Sequence, residues 1–199
     1  MPANIAASLD VVSGGRLEFG IGAGSRPDMQ RARREYDARY AVGSLAEACT
    51  IIRRLWTEAA PFDIQDYSPW LTDAYCSPKP VQRSQPPILI GGATSTLRVV
   101  AEHADAWSMP RGSIERAIER AIERSTVLDG VCAEVGRDPA EITRSIVLTA
   151  SYDRPPDTRH VIRAALDGGF SHIVLGLGDP AEAARRVAET IMAPFADTN

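Results

Sequence analysis

The stretch PPILIGGATST, residues 86–96, places two glycines and three hydroxyl side chains directly after an apolar run. That order suits anion binding. Gly91 and Gly92 let a ligand approach the main chain. Ala93, Thr94, Ser95 and Thr96 then fall where the unpaired N–H groups and the positive dipole end of a following helix converge. A phosphate fits such a turn. The lysine of a Walker loop is missing, so tight binding of a nucleoside triphosphate is not indicated. Ordinary capping by Thr94 or Ser95 is the plainer alternative at the same residues.

A second stretch, SGGRLEFGIGAG at residues 13–24, reads as a strand from Arg16 to Ile21. Its period of two puts Glu18, Gly20, Gly22 and Gly24 on one face, and Leu17, Phe19, Ile21 and Ala23 on the other. One face is thus bare backbone. A dinucleotide fingerprint needs a glycine at its sixth position, and counting from Gly20 or Gly22 gives Ser25 or Pro27, so that reading fails. The plainer alternative is that the glycines only let neighbouring strands and bulky core residues pack tightly.

Other groups carry less. Arg26, Asp28, Asp66 and Tyr67 fall in loops, where a solvated side chain is the default. No Ser-His-Asp, Cys-His or paired-carboxylate arrangement stands out, so no catalytic residue is assigned. Cys49, Cys76 and Cys132 are odd in number and far apart, which indicates reduced thiols and neither a disulfide framework nor a zinc site. His103, His160 and His172 have no metal-ligand spacing and read as surface or helix-end residues; no metal is expected.

The elements that must position these residues alternate. A helix tail at Ala3–Leu9 precedes the glycine strand, and a helix follows from about Ala38 to Trp56 with apolar residues recurring at three and four. Residues 57–87 form a proline-rich excursion with room for a small hairpin. A βαβ unit follows: a strand at Ile88–Ile90, a helix from about Thr94 to His103, and a strand around Ala106–Met109. A helical stretch then carries Ile114, Ile118 and Ile122 four apart, and Asp138-Pro139 starts a short turn. Strand, helix, strand and helix come last, at Glu141–Ser151, Asp157–Asp167, His172–Leu177 and Asp179–Met192. At least five strands, most continuous Val/Ile/Leu runs and each followed by a helix, imply an α/β fold with a parallel sheet; a doubly wound sheet and a barrel both remain open. All segments fit one alternating register, so residues 1–199 are expected to form one domain.

The 199 residues are 44% hydrophobic and 24% charged, which excludes disorder. With 26 acidic against 22 basic residues, a net charge of -4 without charge blocks argues against nucleic acid or an anionic membrane as partner. No apolar run approaches the ~18 residues of a membrane span, and the N-terminus lacks the pattern of a signal peptide. A cytoplasmic protein is expected.

In order and spacing, LDVVSGGRLEFGIGAG, EACTIIRRLWTE and YCSPKPVQRSQPPILIGGATSTLRVVAEHADAW closely resemble the bacterial luciferase-like flavin-dependent oxidoreductases, above all the branch using the deazaflavin coenzyme F-420, with FMN monooxygenases as close relatives. The resemblance implies a parallel β/α barrel of TIM type. It places Gly22 and Gly24 beside the flavin pocket and makes Gly91, Gly92, Ala93, Thr94, Ser95 and Thr96 the cradle of the coenzyme phosphate. The family often has Trp where this chain has Ser25. Its chains usually begin with three further strand–helix units, so this sequence corresponds to about five units of the barrel, opening near the end of the third helix. Those early strands supply much of the pocket around the flavin ring.

The expected activity is therefore hydride transfer from reduced F-420, or oxygenation with reduced FMN and oxygen, on a small organic substrate. A homodimer or a partner chain completing the barrel is expected with it. The rival reading is a catalytically silent fragment or subunit that at most binds the coenzyme phosphate. A phosphosugar-processing barrel shares the anion site but needs a catalytic lysine or carboxylate at the strand ends, and none is convincing.

Overall fold

The computed structural model describes residues 2–24, 37–64, 72–92, 94–109, 114–149, 155–176 and 180–195. Arg26, Asp28, Asp66, Tyr67, Ser25 and Ala93 lie outside the described residues. The fold is α/β, with strands in sheet order β1-β2-β3-β4-β5 that follow chain order, as successive strand–helix units of a partial TIM-type barrel do. The chain divides into two compact units, Met1–Ala106 and Trp107–Asn199.

In the first unit, α1 (Pro2–Ser13) buries Ala3, Ala6 and Ala7, side chains small enough for Trp56 Nε1 to donate to the Ala3 carbonyl at 3.0 Å. α2 (Ala38–Thr57) starts at Asp37, whose carboxylate accepts from the amides of Arg39 at 2.8 Å and Tyr40 at 3.3 Å. Its stripe of Ala41, Leu45, Cys49, Ile52, Leu55 and Trp56 is buried, as the periodicity predicts. Phe19 of β1 (Phe19–Ile21) meets Trp56 edge to face, centroids 5.3 Å apart.

Among the described residues the excursion contains one antiparallel bridge, between Phe62 and Ala74, and Lys79 Nζ ties it down by donating to the Leu55 carbonyl at 2.7 Å. Then come β2 (Ile88–Gly91), a 3₁₀ turn (Thr94–Thr96) and α3 (Leu97–His103). β3 (Ala106–Met109) begins where the units divide.

The second unit holds α4 (Ile114–Val135), β4 (Thr143–Thr149), α5 (Pro155–Asp167), β5 (His172–Gly176) and α6 (Pro180–Val187). A 3₁₀ turn at Pro139–Glu141 opens on Asp138, as its Asp-Pro start predicts. β4 and β5 pair in parallel from Ser145↔His172 to Thr149↔Gly176. On α4 the buried residues are Ala121, Leu128 and Cys132, while Ile122 is exposed. Arg144 is buried on β4 because its guanidinium is fully engaged, with Ser125 Oγ at 2.9 Å, the Ile142 carbonyl at 2.8 Å and the Asp129 carboxylate. Trp107 and Phe170 are buried in the core with their ring centroids 6.5 Å apart.

Several boundaries differ from the sequence reading, among them that the first helix runs on to Ser13 and that β4 begins at Thr143. The glycine strand begins at Phe19 instead of Arg16; the turn at Thr94 is 3₁₀ before it becomes α-helical at Leu97; and the last helix changes after Val187 into a π-helix, Ala188–Met192. All are places where hydrogen bonding beyond the local pattern decides the geometry.

Candidate functional site

β1 and β2 pair in parallel with Phe19 opposite Ile88, Gly20 opposite Leu89 and Ile21 opposite Ile90. The chain therefore leaves both strands at their carboxyl ends side by side, with Gly22 next to Gly91. A Cβ at Gly22 would meet only the Gly91 carbonyl oxygen, at 3.7 Å, and one at Gly20 would meet nothing within 4 Å. Tight protein packing thus requires glycine at neither position. Gly24 lies beyond the strand with φ at 78°, the left-handed region, so it does not share the alternating glycine face.

The second stretch is built differently. A Cβ at Gly92 would fall on Thr96 Oγ1 and lie 3.0 Å from Thr96 Cβ, so the side chain of Thr96 dictates glycine there. Thr96 is buried and serves as the N-cap residue of α3 without a side-chain capping bond, while Thr94 and Ser95 are exposed. The three hydroxyls expected to converge are separated in this way.

Two polar anchors, the buried Asp10 and the half-buried Asp105, neither evident from spacing, hold the amino ends of these strands. Asp10 accepts from Val81 N at 2.8 Å, Gln82 N at 3.0 Å and Gln82 Nε2 at 2.7 Å, and Gln82 Nε2 also donates to the Leu17 carbonyl at 2.8 Å. Burial pushes the Asp10 carboxyl up, but the hydrogen bonds from Gln82 and Val81 prevail and hold it below its ordinary value. The one local signal was an acid on the Ala3, Ala6, Ala7 face of a helix. Asp105 likewise accepts from Ile88 N at 2.8 Å and Arg53 Nη2 at 3.1 Å, and the same Arg53 nitrogen donates to the carbonyl of His103, the last residue of α3.

Cys49, Cys76 and Cys132 are free and buried; burial pushes the Cys49 thiol up to about 11 and raises the other two. None is poised as a nucleophile. Among the described residues no group of three or more His, Cys, Asp or Glu is gathered, and no helix is long and apolar enough to cross a membrane.

Parallel strand–helix units whose glycine-rich carboxyl ends lie side by side define a β/α-barrel type of protein, in which sites form at that end of the strands. The chain belongs to the luciferase-like monooxygenase family, whose model matches residues 2–191. Among solved structures it is similar to an F-420-dependent secondary alcohol dehydrogenase in complex with an F-420–acetone adduct, with a TM-score of 0.78, 16% identity, and coverage of 96% of this chain and 74% of that one. It is similar also to the coenzyme F-420 dependent tetrahydromethanopterin reductase from Methanopyrus kandleri, with a TM-score of 0.78, 13% identity, and coverage of 97% and 78%. A long-chain alkane monooxygenase follows at 0.72, 11%, 98% and 66%. No curated protein matches the chain at a significant level.

Proposed function

We propose that this chain is an oxidoreductase that binds reduced F-420, or FMN in its place, at the paired carboxyl ends of β1 and β2 and acts on a small organic substrate in the cytoplasm. One observation carries the reading: Gly20 and Gly22 line the end of β1 with space that no described side chain claims, directly beside Gly91. Gly22 and Gly24 admit the coenzyme, and the turn from Gly91 through Ala93 to Thr96 receives its phosphate, with the exposed Thr94 and Ser95 as hydroxyl donors. When bound, F-420 supplies a hydride, and FMN with oxygen supplies an oxygen atom. The chain's own part is positioning: the Asp10 and Asp105 anchors hold the amino ends of the two strands, and the apolar Ile88 and Ile90 keep β2 in register. F-420 is placed ahead of FMN because two of the similar structures are named as F-420-dependent. A second chain, identical or not, is proposed to pack beside the strands, since among the described residues β1 pairs with β2 and β5 with β4.

Fluorescence titration of the purified chain with F-420 and with FMN tests this reading. F-420 should bind more tightly, and Gly22→Leu should weaken it at least tenfold, about 1.4 kcal/mol, with an unchanged melting temperature. Quenching of ring fluorescence marks the enzyme reading; competition by inorganic phosphate without any ring signal marks the silent subunit. Absence of binding by both coenzymes would refute the proposal.

A further inference from the structure

We propose that the second unit carries a separate binding site for an apolar molecule bearing one carboxylate. The proposal does not depend on the coenzyme reading. On α5, Arg159, Ile162, Arg163 and Leu166 fall at i, i+3, i+4 and i+7 and so share one face. Ile162 and Leu166, with Ile173 and Leu175 of β5 and Met192 and Phe195 of the terminal segment, line a cleft of about 490 Å³. That volume falls within the range of small-molecule sites. Among the described residues no charged side chain lines the cleft, and Ser171 is the one polar residue that does. Leu166 and Met192 are nevertheless 41% and 57% exposed, so the apolar walls face water.

The cleft exists because of how the chain ends its last helix. Beyond Val187 the backbone widens into the π-helix, with Ala193 N–H donating to the Ala188 carbonyl. Such turns recur at functional sites. The wider turn is held from two sides: Thr190 Oγ1 donates to the Arg186 carbonyl at 2.6 Å, and Arg159 Nη1 donates to the Thr190 carbonyl at 2.9 Å. The wall it offers is low, because two of the residues it turns to the cleft, Ala188 and Ala193, have the smallest apolar side chains.

Charge decides the occupant. Arg163 is exposed, and its guanidinium carbon lies 5.8 Å from the centroid of Phe195, a ring that itself lines the cleft. The arginine therefore stands at the rim with its charge beside an apolar hollow. Arg163 and the exposed carboxylates Asp167 and Glu189 all lie outside the lining itself, and of these it is Arg163 that stacks on a lining ring, that of Phe195. An apolar body in the cleft with a carboxylate on Arg163 satisfies both features, using the bidentate geometry that guanidinium offers.

Calorimetric titration of the full chain with decanoate, 1-decanol and decyltrimethylammonium, each below its aggregation threshold, tests the assignment. Decanoate should bind about tenfold more tightly than decanol, and the cation least. Arg163→Gln should bring decanoate down to the level of decanol while leaving decanol unchanged, and Ala188→Leu should abolish both. Should Ala188→Leu fail to fold, Met192→Gln is the alternative, with the same loss expected. Equal binding of decanoate and decanol by the unaltered chain would overturn the proposal, as would decanoate binding that survives both Arg163→Gln and filling of the cleft. A dimer that dissociates in Leu166→Glu and takes up no decanoate would give the cleft to a second copy and overturn it likewise.

Discussion

Two glycine-rich strand ends meet in the first unit, and glycine is present for a different reason at each. After β2, Gly92 is glycine because Thr96 covers it; along β1, Gly20 and Gly22 have room for side chains and carry none. The first kind shapes a turn; the second leaves the side-chain space along the strand open. Open space beside a glycine is common, as at Gly43 and Gly130 within helices, so what distinguishes Gly20 and Gly22 is their place at the end of β1 beside Gly91.

The strongest way to break this contrast is to loosen the frame beneath both strand ends. Asp10→Asn replaces a charged acceptor of three N–H groups and should lower stability by about 3 kcal/mol in urea unfolding. The Asp10 carboxyl titrates lower in the folded state than in the unfolded chain, so its contribution is present above pH ~4 and fades as pH falls through the depressed folded value. The gap between the two proteins should hold from pH 5 to 8 (roughly) and close only in stronger acid.

A finer probe separates the glycines themselves. Gly92→Ala should lose about 1–3 kcal/mol by overpacking, partly recovered in the double variant with Thr96→Ala, whereas Gly20→Ala should change stability by less than about 0.5 kcal/mol. Equal losses at the two positions would erase the distinction.

The smallest effect concerns the thiols. In the native protein at neutral pH, Cys49 should resist alkylation until the chain unfolds, as followed by a thiol-reactive chromophore. Its folded value is raised above that of the unfolded chain, so the stability it contributes is complete below pH ~9 and is lost as pH rises toward about 11. Cys49→Ala should flatten that alkaline decline.

Much of the fold was legible because the signals are local. The buried stripe of α2, the apolar run of β2 and the Asp-Pro start at Asp138 each depend on neighbours within a turn or a strand. Of the candidate site, the glycines and hydroxyls were legible as types, but their roles were not: Thr96 lies over Gly92 and is separated from Thr94 and Ser95 by burial.

The sequence by itself determined the alternation of strands and helices, the parallel sheet and the two glycine turns, since periodicity and turn chemistry act over a few residues. Tertiary structure alone decided which glycines face open space, that Asp10 would hold amides 71 and 72 residues away, and that Arg163 would meet Phe195 at the rim of a cleft. Contacts between distant segments depend on how whole elements pack, and no local pattern carries that information.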